Sequence, residues 1–258
     1  MVTTEGKTMR AISTEVTNEE RVQPHAARST WGVAWRSGLA GLILQLSIVA
    51  ALLLQGLIQA GLPGHMARRL EDFGVYIGLG AVLLCCTLGG ALWARLLARS
   101  AGVDGQRRMA WASGATYAVT TVVAIVLLNA SEAYFLSGPG RRLLPVHMVF
   151  MIVFTLAAGG VAGITGLVMG LALRDRSLAW RLAIYGGLAA GAAFLAAALV
   201  QDLLGRRVGG VNAAATFTMI TVILLGNVVA SVAASGVMGV ALWRWMANLP
   251  GLTYLYRR

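Results

Sequence analysis

Charge is what this chain has least of. Only 12% of its 258 residues are Asp, Glu, Lys or Arg, about half the share of an ordinary soluble domain. The shortage is uneven, with ten acids and a single lysine, Lys7, set against 20 arginines. Cysteine is nearly missing: Cys85 and Cys86 are adjacent, cannot build a disulfide framework, and read as small buried hydrophobes. The three histidines, His25, His65 and His147, are widely separated and none falls deep in an apolar run, so neither haem nor a metal is expected. No G-x-x-x-x-G-K phosphate loop, no H-E-x-x-H and no G-x-S-x-G elbow occurs. The expectation is a chain that is not an enzyme, with no catalytic residue, no metal, no cofactor and no nucleic-acid partner.

What fills the space is hydrophobic, at 58% of residues and a mean hydropathy of +0.74. Runs without Asp, Glu, Lys or Arg cover 37–67, 73–94, 109–131, 143–173, 182–201 and 208–243. Each is long enough for a helix to cross ~30 Å of hydrocarbon, which takes about 20 residues. The sequence therefore predicts an all-α integral membrane protein with six transmembrane helices, near 37–60, 73–97, 110–136, 146–173, 179–202 and 214–243. These lie in one domain, residues 31–246. Residues 1–30 are polar with little to bury and are expected to form a disordered cytoplasmic tail, and 247–258 a second cytoplasmic tail. No apolar stretch precedes residue 37, so no secretory signal peptide is predicted.

Orientation follows from the distribution of the cations. The N-terminal segment, the second and fourth loops and the C-terminal tail hold 15 of the 21 Lys and Arg, and the first, third and fifth loops hold six. The positive-inside rule then places both termini in the cytoplasm. Arginine in place of lysine, with abundant Ala and Gly, points to a high-GC bacterium and hence to the bacterial inner membrane.

The six minority cations form three pairs, Arg68-Arg69, Arg141-Arg142 and Arg206-Arg207, one for each outer loop. Other features recur at the same period. Ala-Trp opens each outgoing helix, at Trp35, Trp111 and Trp180, and "GGALWAR", "MGLALRDR" and "MGVALWRW" close the returning ones. This pattern predicts three parallel two-helix hairpin repeats. The pairs read first as interfacial anchors compensated by Glu71, Asp72, Glu132 and Asp202. Their second reading is an outer vestibule contacting an anion or lipid phosphate.

Within the membrane, small residues mark helix contacts, because lipid gives apolar helices no incentive to associate. Gly159, Gly163, Gly166 and Gly170 form one face of the fourth helix and are the most specific packing signal. The returning helices, rich in such residues, are expected at the packed centre. Uncharged polar residues such as Gln45, Thr121 and Asn227 are expected to hydrogen-bond between helices. The functional expectation is a structural or accessory subunit contacting the bilayer and other membrane subunits. The alternative is a permease-like protein for a small anionic or lipidic solute.

Overall fold

A computed structural model of the chain describes residues 29–60, 74–103, 107–137, 146–208 and 212–248. The polar stretch 1–28, most of the C-terminal tail, and Arg68, Arg69, Arg141 and Arg142 lie outside the described residues. The described chain contains six helices: α1 Thr30–Ala60, α2 Gly74–Ala101, α3 Arg107–Ser137, α4 Val146–Ala172, α5 Arg176–Val208 and α6 Asn212–Ala247. All six are long and apolar enough to cross a membrane. A helix is the natural state for such segments, since hydrocarbon offers no partner for an unbonded backbone amide. The protein is thus a multi-pass membrane protein.

Five helices run past their charge-free stretches, α3 and α5 at both ends, α1 at its start and α2 and α6 at their finish, and α4 lies within its own. Even α4, at 27 residues, reaches ~40 Å, beyond a ~30 Å hydrocarbon core. The extra turns carry exposed arginines such as Arg36, Arg95, Arg99, Arg107 and Arg181, whose long stems let the guanidinium reach headgroups while the backbone stays helical. Arg206-Arg207 belongs to the last turn of α5 rather than to a loop.

Local chemistry sets several helix ends. Ser29 caps α1, accepting the Gly32 amide on its hydroxyl at 3.1 Å. α2 stops where Gly102 turns left-handed at φ 84°; the Gly102 amide donates to the Arg99 carbonyl and the Val103 amide to Ala98, the paired bonds of a Schellman ending. α4 ends in the same way, with Arg174 at φ 60° where glycine is customary and the Asp175 amide donating to the Gly170 carbonyl. One residue later Asp175 caps α5, its Oδ1 accepting the Leu178 amide at 2.9 Å.

Each helix packs against its neighbours in sequence, and α6 returns to pack against α1, so the six close into a ring. The contacts are backbone to backbone. On α4, Cβ atoms placed on Gly159, Gly163 and Gly166 would lie 3.1, 3.2 and 2.7 Å from carbonyl oxygens of Gly187, Ala183 and Leu182 on α5, and Gly170 presses on the Ala179 backbone. Gly90 and Gly114 bring α2 onto α3, and Gly41 meets Ser231 and Ser235 where α1 crosses α6. The returning helices do not form a common centre: α2 and α6 touch inside the ring, but α4 spends its glycine face on α5 and meets α6 only lightly. A glycine face wide enough for close contact suits one neighbour, and that neighbour is the helix joined to α4 by the shortest turn.

Around the outside, large apolar side chains such as Leu53, Leu127, Leu156 and Leu188 are exposed on α1, α3, α4 and α5, a surface fit for lipid and not for water. Trp35, Trp111 and Trp180 are exposed at 57%, 55% and 63%, all at the end where the outgoing helices begin. They occupy the level at which indole rings favour the interface.

Candidate functional site: a cavity at the centre of the ring

A closed ring of helices with small inward residues leaves space along its axis. A cavity of about 260 Å³ lies there, and all six helices line it. Leu44, Val82, Ile125, Phe154, Val161 and Ala190 make most of its wall. At the end where α1, α3 and α5 begin, the arginine-bearing end that carries Arg36, Arg95, Arg99, Arg107 and Arg181, it is closed by tightly packed side chains. Trp93, Leu97, Met109, Met169, Leu178, Leu182, Met238 and Leu242 are each 0–2% exposed.

The polar lining comes chiefly from α6 and α3, with one residue each from α1, α2 and α4. Gln45 donates through Nε2 to the Ser231 hydroxyl at 2.6 Å and to the Asn227 carbonyl at 3.2 Å, so its amide oxygen is used by neither bond. One turn nearer the closed end, the Trp93 indole N–H of α2 donates to the Ser235 hydroxyl at 2.8 Å. Opposite, the Tyr117 hydroxyl of α3 donates to the Leu44 carbonyl at 3.3 Å, and Thr121 and Thr165 complete the set. The Thr165 hydroxyl turns back onto the Val161 carbonyl at 2.7 Å. Among the described residues no Asp, Glu, Lys, Arg or His lines this cavity. The volume is near the lower end for small-molecule pockets, roughly 300 Å³. An ion placed there would have no opposite charge to offset lost hydration, at several kcal/mol or more. The site therefore suits an uncharged, mostly apolar guest with one or two hydrogen-bonding groups.

Of the sequence candidates, Gly159, Gly163, Gly166 and Gly170 lie together at the α4–α5 contact, behind the cavity wall. Of the paired arginines, Arg206 and Arg207 belong to the last turn of α5, and Arg68, Arg69, Arg141 and Arg142 lie outside the described residues. Gln45, Thr121 and Asn227 converge on the cavity, whereas Gln55 packs against Gly78 on α2. The sequence marks Ser235 only as a small packing residue of the sixth helix and does not single out Trp93 or Tyr117. Trp93 stands in "GGALWAR" close to Arg95, where interfacial exposure is the natural reading, yet it is 2% exposed. The signal that distinguishes it is its inward register with Cys86, Ala94 and Leu97, all buried. Among the described residues no three His, Cys, Asp or Glu side chains come together.

The chain matches no family model, no curated protein and no solved structure.

Proposed function

We propose that the chain is a non-catalytic protein of a bacterial inner membrane, with both termini cytoplasmic and three hairpins related by duplication. Its role on this reading is to bind a small uncharged or lipidic molecule at the centre of its ring, as a permease does. The observation that carries this is the composite cavity: six helices contribute to one space whose polar groups come from α1, α2, α3, α4 and α6 and whose described lining bears no formal charge. The accessory-subunit reading is the second, and it draws on the packed plug at the arginine-bearing end, since a bundle that only supports a partner needs no passage through it. The anionic solute considered from sequence fits this cavity poorly, for want of a cation in its lining.

The test compares wild type with Ala158→Phe, which fills the cavity from α4. Each protein is purified from membranes in mild detergent, extracted with organic solvent and surveyed by mass spectrometry, with co-purifying proteins recorded in parallel. A small molecule retained by wild type and lost from the Phe variant is the expected result. A stoichiometric protein partner retained by both, with identical small-molecule profiles, would replace the binding reading with the accessory one.

A further inference from the structure

A second depression lies on the outside of the ring at the arginine-bearing end, between α5 and α6 where α1 begins. Its volume is about 430 Å³. On α5, Arg181 and Tyr185 are four residues apart and share a face; on α6, Val237, Val240 and Arg244 do so at three- and four-residue spacing. All of these except Val240 are exposed. Gly236 deepens the groove: a Cβ there would lie 3.1 Å from the Ala34 carbonyl oxygen.

The groove is therefore polarised. Two guanidiniums stand at its headgroup end, and an apolar trough about 12 Å long, from residue 236 to residue 244 at 1.5 Å per residue, runs from them toward the bilayer centre. No acid lines it. Asp175, the acid described at this end, already accepts from the Leu178 amide and the Trp245 indole.

We propose that this groove is a binding site for one anionic phospholipid, its phosphate between Arg181 and Arg244 and an acyl chain along Val240, Val237 and the Tyr185 ring. A soluble phosphate would leave the apolar trough unused. A zwitterionic lipid brings a cation toward two guanidiniums, whereas a net-negative headgroup matches them. This site is separate from the central cavity, and its test does not depend on what that cavity holds.

Full-length protein in neutral detergent is titrated with phosphatidylglycerol, phosphatidylcholine or tail-less glycerophosphoglycerol, and retained ligand is counted by native mass spectrometry. Each interfacial arginine is worth roughly fivefold in affinity for anionic lipid, so the two together give roughly thirtyfold. Arg181→Gln/Arg244→Gln should lose at least about fivefold in phosphatidylglycerol retention. Arg107→Gln/Arg108→Gln, which removes the same charge from the same end, should lose less than about twofold. Val237→Trp, which fills the trough and keeps both arginines, should also lose phosphatidylglycerol. Equal losses in the two double variants would reduce the effect to diffuse charge and overturn the proposal. So would equal retention of phosphatidylcholine, or binding of the tail-less headgroup as tight as the lipid.

Discussion

Asp175 meets three helices at once. Its amide ends α4, its Oδ1 caps α5, and its Oδ2 accepts the Trp245 indole N–H of α6 at 2.7 Å. The Leu178 amide, and after it the Trp245 indole, favour the ionised carboxylate and hold its pKa below the ordinary value. A depressed carboxylate pKa contributes stability that is fully present above the unfolded value, near 4, and is lost as pH falls through the folded value. Asp175→Ala should therefore melt below wild type at pH 7, with the gap closing as the pH drops from about 5 to below 4. Thermal unfolding of both proteins in one detergent across that range measures this; a gap independent of pH would mean that shape, and not charge, carries the contribution of Asp175. The adjacent Arg174 adopts a left-handed conformation that costs an ordinary residue roughly 1–2 kcal/mol, so the paired bonds of the turn and the cap beyond it must outweigh that strain.

At the scale of the element, the α4–α5 contact is set by backbone proximity. Leu at Gly163 would drive a four-carbon side chain into the Ala183 carbonyl and the Gly187 Cα, 3.2 and 3.7 Å from where its Cβ must lie. Overpacking of this kind costs ~1–3 kcal/mol. Gly163→Leu should lower the melting temperature in detergent clearly, while Leu at the exposed Ala196 of the neighbouring helix should leave it nearly unchanged. Equal tolerance at both positions would show the helices to be separable there.

The six helices were legible in the sequence because charge avoidance in hydrocarbon leaves long uninterrupted runs. The glycine face was legible as a contact, but its partner was not, since spacing along one helix says nothing about which neighbour it meets. The cavity was legible only in fragments. Gln45 and Asn227 stand out as polar residues in apolar runs, whereas Trp93 and Tyr117 resemble their interfacial counterparts in composition and differ only in rotational register. Register becomes visible when Trp93 is seen aimed at Ser235 while Trp35, Trp111 and Trp180 face outward.

At the scale of the molecule, the ring has two unlike ends. Among the described residues, Arg36, Arg95, Arg99, Arg107, Arg108, Arg174, Arg176, Arg181 and Arg244 are all exposed at the end where the outgoing helices begin, with Asp175 the described acid beside them. The same end holds the packed plug, so the cavity is sealed from the side that carries the cations. Cations close to membrane spans are retained on the cytoplasmic side during insertion, and the expectation is that this sealed end faces the cytoplasm. Starting from a variant with Cys85 and Cys86 replaced by Ala, a cysteine at Ser137, the last residue of α3, should react with an impermeant maleimide in intact cells. A cysteine at the exposed Ser177, near the start of α5, should react only after permeabilisation. The two ends are separated by whole helices of more than 25 residues, so the two labels report on opposite membrane faces. Labelling of Ser177→Cys in sealed cells, with Ser137→Cys protected, would invert the molecule and put the plug outside and the cavity within reach of the cytoplasm.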